Sequence, residues 1–432
     1  MESVSFYTLG CKVNQYETDA MAESFRNNGY EIKNHNEISD IYVINTCSVT
    51  NLGERKSRQF IRRAKKENPE SIICVVGCYA QISPEEVSNI EGVDLIIGTK
   101  EKSKIVELCE KVKKENTKIN TVENVMNITK FEELESNSIQ ENTRAYIKIQ
   151  EGCNQFCSYC IIPYARGPIR SREFDNIIKE AKTLVDKGFK ELVLTGIHVA
   201  SYGKDLGETS LIDVIEAVHK IQGLERIRLS SIEPMLITEE FMNRLKKLEK
   251  VCPHFHLSLQ SGSDTVLYRM NRKYNTKEYK ERVDIIRNFM PDAAITTDII
   301  VGFPGETEQE FQETYNFVKQ IEFASVHVFK YSKREGTPAA NHKDQVHGTI
   351  KNDRSKKLIE LTSREHLDFM QKFLGTEREI LIETSSKKSG YMEGYTDNYI
   401  RVAIKGNKEL ENEIINTKLI EIDDDKVLGE II

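Results

Sequence analysis

The chain has 432 residues, enough for roughly two to four domains, a net charge of −7 and nine cysteines. No apolar run is long enough to span a bilayer, and Met1-Glu2-Ser3-Val4 does not open a basic-then-apolar leader. A cytoplasmic protein without a membrane partner is therefore expected, and in that reducing compartment the cysteines point to metal or redox use rather than disulfides.

In chain order, residues 4–9 read as a strand, 16–27 as a helix and 41–45 as a strand. Between Arg55 and Lys66 stand seven basic residues and no acidic one. On a helix, Arg55, Arg58, Arg62 and Lys65 share one face, while Phe60, Ile61 and Ala64 supply the buried side. Such a patch offsets the negative total and suits RNA, although a solvated basic helix would look the same. Strands at 72–76 and 95–97 follow, with helices opening near Ser83-Pro84 and spanning 102–113. This pattern predicts an α/β domain with a parallel sheet over 1–115. Residues 116–142 are polar and acidic and read as a linker carrying one short strand.

A second strand–helix series fills 143–370, with strands expected at 146–149, 192–194, 227–230, 255–259, 295–301 and 326–329. Six such units suggest a partial (β/α) barrel, whose chemistry sits at the carboxyl ends of its strands. Over 371–432 five short strands joined by polar turns suggest a small antiparallel barrel of the OB type, a fold that often binds oligonucleotides.

Cys153, Cys157 and Cys160 form a CxxxCxxC run. A closed structural zinc site takes four ligands; three thiolates suit a 4Fe-4S cluster with one iron left open. Cys11, Cys47 and Cys78 each stand just past the end of a predicted strand. In a parallel sheet those ends share one edge, so these three also converge, as a second open cluster site. Cys74, Cys109 and Cys252 read as structural.

These motifs resemble the radical S-adenosylmethionine methylthiotransferases over nearly the whole chain. The CxxxCxxC run is similar to the superfamily signature. Thr8-Leu9-Gly10-Cys11-Lys12-Val13-Asn14-Gln15, Asn45-Thr46-Cys47 and Gly77-Cys78-Tyr79-Ala80-Gln81 resemble the family's N-terminal domain, and the tail resembles its RNA-binding TRAM domain. Lys12-Val13 after Cys11, and Ile162-Pro163-Tyr164-Ala165-Arg166-Gly167-Pro168, resemble the threonylcarbamoyladenosine branch rather than the isopentenyladenosine or ribosomal-protein branches.

The resemblance implies insertion of a methylthio group at carbon 2 of N6-threonylcarbamoyladenosine beside the anticodon of tRNA. Cys153, Cys157 and Cys160 would hold the cluster that binds S-adenosylmethionine, the source of a 5′-deoxyadenosyl radical. Cys11, Cys47 and Cys78 would hold the second 4Fe-4S cluster, which carries the sulfur. A second S-adenosylmethionine supplies the methyl group. A reductant such as a flavodoxin or ferredoxin and a sulfur donor are implied partners. Tyr159 would flank the adenine, Thr195 and Gly196 the methionine amino group, Ser258 and Gln260 the ribose, and Gly302 the adenine pocket; Glu233 would bind S-adenosylmethionine or cap a helix. Arg166, Arg170 and Arg172 are candidates for the threonyl carboxylate. Tyr391, Tyr395 and Tyr399 are candidates for base stacking. An RNA-bound iron–sulfur redox sensor without catalysis stays open at this point.

Overall fold

The computed structural model describes residues 1–49, 51–134, 143–207 and 209–432. Its first part is a six-stranded parallel sheet of β1 (Ser3–Thr8), β2 (Glu31–Lys33), β3 (Ile41–Thr46), β4 (Ile72–Gly77), β5 (Leu95–Ile97) and β6 (Ile119–Asn120), in the order β2-β1-β3-β4-β5-β6. Helices cover both faces, so β3 is buried along its whole length. The helix α1 (Lys12–Asn27) follows β1, and the basic helix α2 (Asn51–Glu67) follows β3. Phe60, Ile61 and Ala64 form the buried side of α2, as its spacing predicts. The sheet is larger than the four strands expected. β2 and β6 are edge strands of three and two residues, too short to carry a periodic signal. β6 is the one short strand expected in the linker stretch, and its Ile119 pairs with Leu95.

The second part is an open barrel. β7 (Arg144–Glu151), β8 (Arg170–Ser171), β9 (Glu191–Gly196) and β10 (Arg226–Leu229) form a sheet in the order β10-β9-β7-β8. β11 (His254–His256), β12 (Ala294–Val301) and β13 (Ser325–Lys330) form a second. Parallel bridges Ile227 to Val251 and Ile232 to Leu257 join the two at β10 and β11. All pairs are parallel except β8, which folds back on β7. On β7, Ala145, Ile147 and Ile149 enter the outer core with the helices, so Tyr146 and Lys148 face inward. On β13, Val326 and Val328 pack outward while His327 and Phe329 are exposed on the other face. An apolar residue left exposed on an inner strand face marks a lumen that side chains do not fill.

The tail strands β14 (Glu377–Ser385), β15 (Tyr391–Thr396), β16 (Arg401–Lys405), β17 (Ile414–Asp423) and β18 (Lys426–Ile431) close a small barrel, as expected. This barrel seals the lumen's floor. Tyr399 stacks on His254 with ring centroids 4.5 Å apart. Arg228 donates to Asp397 O at 2.9 Å and pairs with Glu191 at 2.6 Å, and Arg144 pairs with Glu383 at 2.6 Å. The N-terminal part closes the open side: α1 packs on β7 and β9, and Arg334, just past β13, pairs with Glu54 of α2. Among the described residues no helix is long and apolar enough to cross a membrane.

Candidate iron–sulfur and substrate site

Cys11, Cys47 and Cys78 follow β1, β3 and β4, three neighbouring strands in register. Strand register therefore brings together residues far apart in sequence. Gly10 has φ +117°, and a Cβ there would stand 2.8 Å from Asn14 Nδ2 and 3.2 Å from Cys47 Cβ. Only glycine lets these loops approach so closely. Asn14 Nδ2 ties them, donating to Leu9 O at 2.6 Å and Thr46 O at 3.0 Å. Burial, then the neighbouring Cys78 and Cys11, push the Cys47 thiol up to about 11. Burial likewise raises Cys78, against the pull of Arg166.

The second trio caps β7. Cys153 N donates to Gly167 O at 3.0 Å, and Cys160 N to Cys157 O at 2.9 Å, which folds the loop on itself. Burial pushes Cys153 up to about 11 and Cys160 up to about 12, with Cys157 adding to both. All six are free thiols.

Each trio has a guanidinium against one sulfur. Arg272 Nη1 lies 3.3 Å from Cys157 Sγ, held by Glu233 at 2.8 Å. Arg166 Nε lies 3.3 Å from Cys78 Sγ. Arg166 is wholly buried and pairs with Glu17 at 2.5 Å and Glu151 at 3.3 Å, while Lys148 and Lys102 also meet Glu17. Three basic groups thus face two carboxylates, and the surplus points at Cys78. Burial alone would raise Glu17, but Arg166, Lys102 and Lys148 hold it well below the usual carboxylate range.

Among the described residues no three His, Cys, Asp or Glu side chains close on a single ion. A four-iron cluster is wider than one ion, so its ligands stand farther apart, and it takes thiolates. All-sulfur donor sets of three, each beside a buried cation that offsets thiolate charge, fit such a group.

A cavity of about 230 Å³ opens beside Cys160 of the second trio. Tyr159, Cys160, Gln260, Asp298, Phe329 and Arg334 line it, with Val49, two residues past Cys47. Gln260 has φ +70°, a strained conformation that sets its side chain at the end of the β11 segment. Glu233 lines a second cavity of about 470 Å³ beside the cluster loop, with Gln155 and His198. Thr195 and Gly196 end β9 against Lys148 and Gln150 of β7; a Cβ on Gly196 would stand 2.9 Å from Gln150 O. Ser258 accepts from Arg272 and Tyr274 through its carbonyl. Gly302 does not join this group. It sits in a turn at φ +70°, with its N–H on Glu306 and Lys351 packed where a Cβ would be.

Two expectations are overturned. Arg166, Arg170 and Arg172 are buried and already engaged: Arg170 donates to Pro168 O and Arg166 O, and Arg172 pairs with Glu133 and Glu180. They tie the Cys153–Cys160 loop and β8 to the parts around them, and the charges of Arg166 and Arg172 are already met by buried carboxylates. Tyr395 and Tyr399 stack on each other and under Arg144 at the barrel junction, so they are spent on docking. Tyr391 stays half-buried under Lys388. Conversely, Arg272, Glu151 and Lys148 carried no signal in the sequence, because a buried charge looks like a surface one until its partner is placed. Cys74, Cys109 and Cys252 are core, as expected.

Residues 3–98 match the model of a family described as uncharacterized protein family UPF0004, and 147–318 match that of the radical SAM superfamily. The chain is 45% identical to the threonylcarbamoyladenosine tRNA methylthiotransferase MtaB of Bacillus subtilis over 97% of this chain and 94% of that one. It is 40% identical to the protein of the same name from Aquifex aeolicus, over 94% and 98%. With the tRNA-2-methylthio-N(6)-dimethylallyladenosine synthase of Clostridium tetani it shares 38%, over 95% and 92%. Among solved structures, the radical S-adenosylmethionine methyltransferase TsrM of Kitasatospora setae shares the fold, with TM-score 0.59, 14% identity and 78% and 77% coverage. The chain belongs to the radical S-adenosylmethionine methylthiotransferase family.

Proposed function

We propose that the chain inserts a methylthio group at carbon 2 of N6-threonylcarbamoyladenosine in tRNA, giving 2-methylthio-N6-threonylcarbamoyladenosine. The observation that carries this is the convergence of Cys11, Cys47 and Cys78 at neighbouring strand ends beside a second, CxxxCxxC trio, in a chain 45% identical to a relative of that name. Cys153, Cys157 and Cys160 would hold one 4Fe-4S cluster, and Cys11, Cys47 and Cys78 the other. When bound, the clusters and S-adenosylmethionine supply radical attack on an unreactive C–H bond, with the sulfur and the methyl group, chemistry that no side chain offers.

The chain's own residues bind, orient and exclude water. Arg272 and Arg166 offset thiolate charge at Cys157 and Cys78. Tyr159, Gln260 and Phe329 wall a slot for a flat base, while Thr195, Gly196, Ser258 and Glu233 stand at strand ends where S-adenosylmethionine would lie. The closed floor and side keep the lumen from bulk solvent, which protects a radical reaction from quenching. Exposed Arg55, Lys56, Arg62 and Lys66 on α2 suit the tRNA backbone. A flavodoxin or ferredoxin would deliver electrons, and a separate donor the sulfur.

The test is nucleoside mass spectrometry of tRNA from a deletion strain with no redundant enzyme. The expected result is loss of 2-methylthio-N6-threonylcarbamoyladenosine with the isopentenyl analogue unchanged; the reverse pattern overturns the assignment. Anaerobic reconstitution should give about eight irons per chain, and alanine at all three positions of either trio about four.

A further inference from the structure

Strand register sets the inner wall of the open barrel around the cavity beside Cys160. Ile295, Ile299 and Val301 of β12 enter the outer core, so Thr296, Asp298 and Ile300 face inward. Val326 and Val328 of β13 pack outward, so His327 and Phe329 face inward. Ile300 stands opposite Phe329, and Asp298 stands opposite His327. Ile300, Phe329 and Asp298 all line the cavity. His327 is therefore the next side chain down the wall, directly across from one lining residue and two places before another.

The charged groups nearby have partners. Asp298 stands 3.3 Å from His256 Nε2, and His256 Nδ1 lies 3.1 Å from Thr296 Oγ1. Arg334, which also lines the cavity, pairs with Glu54. His327 differs from them. Its ring stacks on that of His256 with centroids 6.1 Å apart and 29° between the planes. Among the described residues, however, no hydrogen bond or ion pair takes either of its nitrogens. The residue is also exposed, although its strand turns it into the barrel. His256, pinned at both nitrogens, supports one face of the ring, and the N–H is left for a ligand.

We infer that His327 donates a hydrogen bond to the carboxylate of the substrate's threonylcarbamoyl arm and so favours an acidic arm over an apolar one; this rests on the substrate proposed above. Phe329 and His327 are two residues apart on one strand face, roughly 6.6 Å along the wall. With the adenine ring against Phe329, the bonds from N6 to the carboxylate cover that length. The acceptor is charged, which strengthens the hydrogen bond. An isopentenyl arm offers no acceptor, and laying it over the imidazole would strip water from a polar group without replacing it.

The experiment uses the full-length protein reconstituted with iron and sulfide. Anisotropy titrations measure Kd for anticodon stem-loops bearing N6-threonylcarbamoyladenosine or its methyl ester. The wild type should prefer the free acid by roughly 10- to 100-fold. In His327→Phe and His327→Leu, which remove the donor, that ratio should fall to about one. His327→Gln keeps an N–H donor and should keep most of the ratio. Because each ratio is taken within one protein, a general loss of RNA binding cancels, and iron content reports folding. A ratio that survives in the Phe and Leu variants, or that is absent from the wild type, overturns the role of His327. Failure of the wild type to methylthiolate the acid stem-loop, read by mass spectrometry, overturns the substrate assignment instead.

Discussion

Arg166 joins three things at one atom group: the cluster loop, α1 and the Cys78 sulfur. Its partners explain why Asn14 and Glu17 sit where they do, three residues apart on α1. Asn14 Oδ1 accepts from Arg166 Nη2 at 2.6 Å, and Glu17 takes both guanidinium ends. Removing the cation leaves buried carboxylates short of charge. Arg166→Met should therefore destabilise the protein by about 3–5 kcal/mol. A urea titration checks this, and iron at the Cys11–Cys47–Cys78 trio should be lost with it. Loss of modification with unchanged stability would instead give Arg166 a direct role at the substrate.

At the scale of elements, the turn between β15 and β16 acts as a plug. Tyr399, at φ +69°, inserts between His254, Tyr395 and the guanidinium groups of Arg144 and Arg228. Tyr399→Ala gives up two stacked contacts and two cation–π contacts, a loss of roughly 1–3 kcal/mol. The tail barrel should then undock, and limited proteolysis should cut near residue 372 faster than in the wild type. The barrel's own core, with Ile380, Ile382, Val402 and Leu419, stays intact, so its strands should keep their amide protection.

At the scale of the whole molecule, buried ion pairs weld three parts around one lumen. Their acid sensitivity has a definite sign. Burial would raise Glu393 of β15, but Lys426, Ser386 and Arg401 hold it at about 2, below its ordinary 4.5. A depressed carboxyl contributes stability that is complete above 4.5 and is lost as the pH falls toward 2. Glu393→Gln should flatten that acid limb for the tail barrel while lowering its stability near neutrality. Tyrosine fluorescence across an acid titration reads both.

Much of this molecule is legible in one dimension. The CxxxCxxC run is local, so the spacing of Cys153, Cys157 and Cys160 is chemistry by itself. Cys11, Cys47 and Cys78 are legible for a different reason: each ends a strand, and parallel register aligns strand ends. The three-residue edge strand β2 was not legible, because so short a run carries no period. Nor were the roles of the charged side chains. Arg166 stood in the sequence as a candidate for the substrate's carboxylate, yet it is sealed among the protein's own carboxylates against Cys78. The sequence alone determined the six cysteines, the order of the three parts and the family resemblance, since those depend on spacing along the chain. Tertiary structure alone decided which cations are spent on holding the parts together, since pairs such as Arg166–Glu17 and Arg144–Glu383 join residues more than a hundred positions apart.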